Sequence, residues 1–288
     1  MTAPEVSVII PCAGDLEHLD ELAASLRPQV GDDVEVILVD NHVSRGGQTR
    51  LAAAVAQLGP ARVVTEAERG IGPARNAGAR CARGEILVFV DADDVVAPEW
   101  VAGLTATARP GVIAAGRLEY QRLNPPWLAR TRGRGDDGLV YRCEGLFPVA
   151  PGGNMAITRA DFEALGGFAN DDRSLEDFDL ALRAWDAGVA IELADSRSIL
   201  HYRLRDEPRV LYRQGYRYGI ARAAVYGELF RRRLVSRWAR PGWRSWVLLL
   251  LVAPMALWDR RRRCVAAWIL GNRLGRVAGS ARSRVVYL

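Results

Sequence analysis

Ile86-Leu87-Val88-Phe89-Val90-Asp91-Ala92-Asp93-Asp94 decides the fold: five apolar residues end abruptly in a cluster of three carboxylates. A short apolar run rich in β-branched and aromatic residues, introduced by Gly84-Glu85, reads as a strand buried on both faces of a parallel sheet. The acids then sit at its carboxyl end, the edge at which open α/β sheets bind ligands. Neighbouring carboxylates repel one another unless something cationic lies among them. A hard divalent ion, Mg²⁺ or Mn²⁺, takes oxygen ligands and bridges them to substrate phosphates. Taken alone the triplet also reads as a solvated acidic turn; the preceding strand and its surroundings favour the metal.

Working outward, Val6 to Ile10 repeats the buried-strand pattern and is followed by a turn, Pro11-Cys12-Ala13-Gly14-Asp15. Leu16, Leu19, Leu22, Ala23 and Leu26 recur at helical spacing. A second strand, Val34 to Val39, ends at Asp40-Asn41; a helix over Leu51 to Leu58, a short strand over Arg62 to Val64 and a helix from Pro73 to Ala82 precede the acidic strand. Pro98 starts a further helix. This alternation with short connections predicts right-handed βαβ units and a mostly parallel, doubly wound sheet. Beyond Gly111 the spacing predicts a strand over Val112 to Tyr120, a mobile loop over Asn124 to Gly138, a strand after Gly152-Gly153, and helices over Arg159 to Leu165 and Glu176 to Ala187. Strands follow over Val189 to Leu193 and Ser198 to Tyr202.

The net charge of +5 conceals an asymmetry. Tyr202 to Leu288 carries 20 Arg against 4 acids, or +16, whereas Met1 to His201 carries 19 Arg against 30 acids, or −11. A basic tail on an acidic body is expected to meet an anionic surface. The tail is helical from Pro208 to Phe230 and then contains Trp246 to Trp258, an apolar segment of 13 residues interrupted by Pro254. As a helix it reaches about 20 Å, short of the roughly 30 Å hydrocarbon core of a bilayer. Arginines flank it on both sides, so it reads as an in-plane helix at a membrane surface, or else as a helix packed on the body. Lipid suits this apolar centre better than nucleic acid does. The four cysteines, Cys12, Cys81, Cys143 and Cys264, form no C-x-x-C pair, which points to a reduced, cytoplasmic setting. The amino terminus lacks the pattern of a cleaved secretion signal.

Several residues could carry chemistry. Asp40 ends the second strand, on the same edge as Asp91; two aspartates at neighbouring strand tips suit a nucleoside, although Asp40 alone could equally cap its turn. Glu68 to Asn76 contains G-x-G without the third glycine of a dinucleotide fingerprint; here Arg75 can address phosphate or base. Glu176-Asp177 opens a helix, where acids are favoured by the dipole but can also supply a general base for an acceptor hydroxyl. His201, one of three histidines, ends an apolar strand and is either structural or a metal ligand.

The order of these pieces resembles family 2 glycosyltransferases over about residues 5 to 205. The resemblance rests on Val6-Ser7-Val8-Ile9-Ile10-Pro11, Val36-Ile37-Leu38-Val39-Asp40-Asn41, Gly72-Pro73-Ala74-Arg75-Asn76-Ala77-Gly78, the acidic strand with Gly84-Glu85, Gly152-Gly153-Asn154-Met155-Ala156-Ile157 and Glu176-Asp177-Phe178-Asp179-Leu180. It implies a GT-A fold and inverting transfer of a sugar from a nucleoside diphosphate, in cell-envelope, polysaccharide or glycolipid synthesis. By resemblance Asp91-Ala92-Asp93 is the D-x-D motif, with Asp91 near ribose and Asp93, Asp91 and His201 around Mn²⁺ or Mg²⁺. Pro11, Asp40, Arg75 and Asp91 would meet the donor, Gly153 and Asn154 the acceptor, and Asp177 beside Glu176 would be the base. One departure is Asp40-Asn41-His42-Val43-Ser44, where many members read Asp-Asp-Gly-Ser.

The expected organisation is therefore a nucleotide-sugar-binding part over 1–115, an acceptor-binding and catalytic part over 116–205, and a basic amphipathic helical tail over 206–288 that associates with the membrane. The partners expected are a nucleoside diphosphate sugar, a lipid-linked or polysaccharide acceptor and the inner face of the cell membrane, with no nucleic acid. The alternatives are a GT-A-like module that binds a nucleotide or lipid without turnover, against which the intact acids speak, and a nucleotidyltransferase. The latter calls for a Gly-rich basic triphosphate loop, and residues 11–15 offer one Gly and an acid.

Overall fold

Val6–Gly14 forms β1, with Val8 and Ile10 packed on one face of a sheet and Ile9 on the other, all without solvent contact. Burial on both faces is what an interior parallel strand requires. The structure, a computed structural model, describes residues 4–130, 140–170, 175–238, 243–252 and 254–287. After β1 come α1 (Leu19–Leu26), β2 (Val34–Val43), α2 (Arg45–Leu58), β3 (Ala61–Thr65), α3 (Ile71–Cys81) and β4 (Ile86–Val90). Two of these helices start earlier than hydrophobic spacing predicts. Ser44 caps α2 by accepting the Gly47 amide at 3.1 Å, which outweighs the poor helix propensity of Gly46-Gly47. Pro73 sits within the first turn of α3, where its missing N–H costs no helical hydrogen bond.

β5 (Val95–Val96), α4 (Trp100–Thr105), β6 (Val112–Ala115) and β7 (Arg117–Glu119) follow, then α5 (Pro126–Ala129), β8 (Arg142–Cys143), β9 (Phe147–Pro148) and β10 (Asn154–Thr158). The chain continues through α6 (Arg159–Ala164), α7 (Glu176–Asp186), β11 (Ala190–Leu193) and β12 (Ile199–His201) to α8 (Pro208–Arg231), α9 (Trp243–Val252) and α10 (Arg260–Ser283).

The main sheet has seven strands in the order β11-β6-β10-β4-β1-β2-β3. All its pairings are parallel except those of β10, which runs antiparallel to β4 and β6. From β1 the chain winds outward through β2 and β3, and α3 returns it to β4 on the other side of β1. The carboxyl ends of β1 and β4 therefore flank a topological switch point, where doubly wound sheets hold ligands. A smaller sheet, β5-β12-β7, starts directly after the acidic turn.

The single strand expected over Val112 to Tyr120 is in fact two strands in two different sheets, separated at Gly116. A Cβ at Gly116 would collide with the Asn154 side chain, so the chain passes from one sheet to the other where no side chain is present. In the expected loop over Asn124 to Gly138, α5 forms a short helical turn; 131–139 lie outside the described residues.

The chain divides into two compact units. One comprises residues 4–123, 140–170 and 176–203 among those described, and the other 124–130, 175 and 204–287. Strands from both 1–115 and 116–205 share the seven-stranded sheet. In the second unit α8 and α10 meet backbone to backbone: a Cβ at Gly219, Gly271 or Gly275 would run into the carbonyl oxygens of Asn272, Tyr212 and Tyr216 respectively. Small residues four apart permit this approach. Among the described residues no helix is long and apolar enough to cross a membrane.

Gly275→Ala is expected to force α8 and α10 apart and to destabilise the protein by about 1–3 kcal/mol, as overpacking does. Chemical denaturation followed by circular dichroism measures this; an unchanged midpoint would mean that the two backbones have room to spare.

Candidate active site

Arg75 lies at the centre of the site although it is only 2% exposed. Its Nη2 donates to Asp91 Oδ1 at 2.7 Å and its Nη1 to Glu176 Oε1 at 2.9 Å. The guanidinium also lies over the Phe168 ring, 5.1 Å from the centroid. Burial alone would lower the Arg75 pKa; Asp91, Glu176 and Asp177 outweigh it and hold the value above the ordinary one. One side chain of α3 thus links the acid at the tip of β4 to the acids that open α7. Asn76, the next residue, clamps the loop that carries Phe168, accepting from the Phe168 amide at 2.9 Å and donating to its carbonyl at 2.8 Å.

Gly152 and Gly153 make the turn into β10, and the antiparallel register Asn154↔Val90 sets that turn beside Asp91. A Cβ at Gly153 would overlap the Asp91 carboxylate; one at Gly152 would lie 2.6 Å from Arg75 Nη1 and 3.5 Å from Asp177 Cβ. The glycine pair is therefore the point at which Asp91, Arg75 and Asp177 converge. Asp177 is half-buried at the start of α7. Burial, reinforced by the Glu176 charge, pushes its pKa up to about 7, against the opposing pull of Arg75 and of the Phe178 amide. A carboxylate poised near neutrality is suited to accept a proton.

On the other side of the acidic turn, Asp94 is buried. The backbone amide of Arg203 donates to its Oδ1 at 2.7 Å, while Oδ2 has no hydrogen-bond partner among the described residues. Burial and the charges of Asp93 and Asp91 raise its pKa well above the carboxylate range. Arg203 also donates from Nε to the Asp93 carbonyl at 2.9 Å and from Nη2 to Glu21 at 2.8 Å, which fixes the turn to the end of β12. His201 pairs with Val95 in the small sheet, one residue from Asp94. Its Nδ1 is 2.7 Å from Glu119 Oε2. Burial would raise the Glu119 pKa, but His201 and the amides of Gln121 and Arg122 bring it below the usual range. A carboxylate on Nδ1 orients an imidazole so that Nε2 can meet a metal.

Among the described residues no three His, Cys, Asp or Glu side chains stand close enough to form a metal cage by themselves. The donor set nevertheless fits a Mg²⁺- or Mn²⁺-type ion, which takes one or two carboxylates and completes its shell with water and substrate phosphates. A buried carboxylate oxygen without a hydrogen-bond partner, in a turn with two further acids, is an environment that favours a cation.

The remaining expected residues lie as follows. Pro11 is in β1 opposite Val39, and Cys12 is opposite Asp40 at the same edge. The Cys12 thiol is pushed up to about 12 by burial and by Asp40, so it is inert. Asp40 accepts from the Val43 amide at 2.9 Å and from Gln48 at 2.7 Å, the turn-capping arrangement. Asn154, expected at an acceptor surface, is instead wholly buried: its Oδ1 accepts from Trp100 Nε1 at 2.9 Å and its Nδ2 donates to the Arg117 carbonyl at 3.0 Å. Motif order located the residue but could not show that its amide is spent inside the sheet. Arg203, Glu119, Phe168 and Gly152 were missed as individual roles; the nearest signals were an arginine two residues after His201 and a Gly-Gly turn before a strand. Asn41 was missed too. It holds residues 66–70, donating to the carbonyls of Glu66 and Glu68 and accepting from the Gly70 amide.

The fold has known counterparts. The structure is similar to that of the mannosyltransferase PcManGT from Pyrobaculum calidifontis, solved with GDP-Man and Mn²⁺: TM-score 0.62 at 19% identity, covering 96% of this chain and 88% of that one. It is also similar to GalNAc-T7 with UDP, GalNAc and Mn²⁺, with TM-score 0.54, 20% identity, and 70% and 44% of the two chains. These likenesses show the GT-A fold. In sequence, the succinoglycan biosynthesis protein ExoA of Rhizobium meliloti is 26% identical over 270 residues, 89% of this chain and 78% of ExoA. The putative glycosyltransferase EpsH of Bacillus subtilis is 30% identical over 109 residues, 38% of this chain but only 31% of EpsH. Residues 7–166, more than half of the chain, match the family described as Glycosyl transferase family 2, and the chain belongs to that family.

Proposed function

We propose that this family 2 glycosyltransferase moves a sugar from a nucleoside diphosphate to an acceptor hydroxyl with inversion at the anomeric carbon, aided by Mn²⁺ or Mg²⁺. The observation that carries the reading is the Arg75 bridge, which holds the D-x-D acid Asp91 and the pair Glu176-Asp177 around one glycine turn. The donor-bound state of PcManGT, with GDP-Man and Mn²⁺, supports the donor class. The name of ExoA supports a role in polysaccharide synthesis, with a polysaccharide or lipid-linked acceptor.

In this mechanism Asp40 and Pro11 border the nucleoside, Asp91 faces the ribose, and the acceptor lies beside the turn at Gly153, which packs against Asp91. Asp177 takes the proton of the attacking hydroxyl, whose oxygen bonds to the anomeric carbon from the face opposite the departing diphosphate as the bond to that diphosphate breaks. A divalent ion held by Asp93 with Asp91 and His201 would neutralise charge gathering on that diphosphate. The C-terminal unit supports work at the inner face of the cell membrane: Leu250 and Trp258 are 74% and 83% exposed in a unit rich in arginine, a composition suited to an anionic lipid surface.

A panel of nucleoside diphosphate sugars tests the reading. Donor hydrolysis is expected with at least one of them in the presence of Mn²⁺ or Mg²⁺, and is lost with chelator and in Asp93→Ala. Turnover indifferent to chelator would remove the metal, and neither binding nor turnover of any donor would remove the activity.

Asp177→Asn is expected to keep the wild-type circular dichroism spectrum and to lower kcat by at least about 10²-fold, the usual scale of a general base. A smaller loss would assign the proton transfer to another group.

Below its pKa of about 7 Asp177 is protonated and cannot accept the hydroxyl proton, so kcat/KM should rise with pH through about that value. Glu176→Gln removes a charge that raises this pKa, and the acid limb should move to lower pH. A limb that stays in place would separate it from Asp177.

A further inference from the structure

The C-terminal unit contains a cavity of about 290 Å³ that the transfer chemistry does not use. Its walls are apolar, among them Leu128, Leu211, Leu248, Val265, Trp268 and Ile269. At about 290 Å³ it lies at the small end of ligand pockets, roughly 300–1,000 Å³, and it suits one apolar chain better than a folded molecule. The rim is cationic. Arg205 and Trp127 line the cavity, and the Arg261 guanidinium lies over the Trp127 ring, 6.0 Å from its centroid.

Arg261 belongs to a run of four arginines, Arg260 to Arg263, that opens the 24-residue α10. Positive side chains at the positive end of a helix dipole are electrostatically unfavourable. Nearby acids offset part of this: Asp206 meets Arg260 at 3.1 Å and Asp259 meets Arg262 at 3.5 Å. An external anion at this rim would relieve the rest. α9 joins cavity to surface, since Leu248 lines the cavity while Leu250 and Leu251 are exposed.

From the apolar cavity and its arginine rim we infer that the C-terminal unit binds an anionic lipid, with one hydrocarbon chain in the cavity and a phosphate against Arg261 and Arg205. The chain reaches the cavity from the membrane side of α9. The phosphate is recognised by guanidinium donors, which fit oxyanions bidentately. This binding needs no nucleotide sugar, so it stands or falls apart from the transferase reading.

The test is titration of the full-length protein with alkyl phosphates below their critical micelle concentrations, followed by calorimetry. Saturable one-to-one binding is expected, tightening about fourfold per added methylene and then levelling off when the cavity is full. Val265→Trp and Ile269→Trp, which fill the cavity, should each abolish binding, and Arg261→Gln should weaken it at least about tenfold, all with unchanged circular dichroism. Two tryptophan variants are specified so that misfolding of one leaves the other to decide. Equal binding of a neutral alkyl glucoside, or alkyl phosphate binding left unchanged by saturating inorganic phosphate, would overturn the proposal. Affinity that keeps rising with chain length, or wild-type binding by a folded cavity-filling variant, would also overturn it.

Discussion

A guanidinium withdrawn from water is tolerable only where its surroundings return most of the lost solvation, and at Arg75 both Nη atoms are paired while Nε has no hydrogen-bond partner among the described residues. Two carboxylates accept from separate nitrogens and a phenyl ring covers one face of the plane. A buried ion pair of this kind contributes little net stability compared with an apolar replacement, yet removing one partner alone costs about 3–5 kcal/mol because a charge is left stranded. The value of the arrangement therefore lies in specificity. The start of α7 is 101 residues from Arg75 in sequence, and the two carboxylates on one guanidinium tie it to α3 and the tip of β4.

Burial, more than this cation, sets the titration of Asp177. Asp177 has Arg75 and the acid Glu176 as neighbours, and burial with Glu176 prevails over Arg75, leaving its proton affinity near neutrality. At the acidic turn Asp94 is driven in the same direction by burial and by Asp93 and Asp91, against the Arg203 amide and charge. Asp177 is thus poised by burial and Glu176 against a cation built into the protein, and Asp94 by burial among further acids.

The alternation of apolar runs and turns made the sheet legible in sequence, because strands buried on both faces leave a strong signal in Val6 to Ile10, Val34 to Val39 and Ile86 to Val90. Gly116 was not legible in this way. Val112 to Tyr120 reads as one strand until the Asn154 side chain is seen to occupy the space a Cβ would need. Motif order indicated which residues gather at the site but not what they touch. Arg75 was expected to face nucleotide and faces protein carboxylates; Asn154 was expected at a surface and closes a hydrogen-bond network inside the sheet. Such pairings join residues such as Trp100 and Asn154 across long stretches of chain, so no local pattern encodes them.

The exclusive use of arginine for positive charge has different consequences in different places. Arg203 spans the Asp93 carbonyl and Glu21 from different nitrogens of one guanidinium, and Arg183 joins Asp179, through Nε, to the Gly167 carbonyl, through Nη2. Lysine, a point charge on a flexible stem, could not hold two fixed acceptors with the same geometry. At these positions and at Arg75 the planar fork is a structural requirement. On exposed ion pairs such as Arg80 with Glu66, lysine would do nearly as well, since surface pairs contribute little whichever cation supplies them. Arginine at the rim of the C-terminal cavity falls between these cases: Arg261 lies over an aromatic ring, as a guanidinium does readily, yet retains donors suited to an oxyanion.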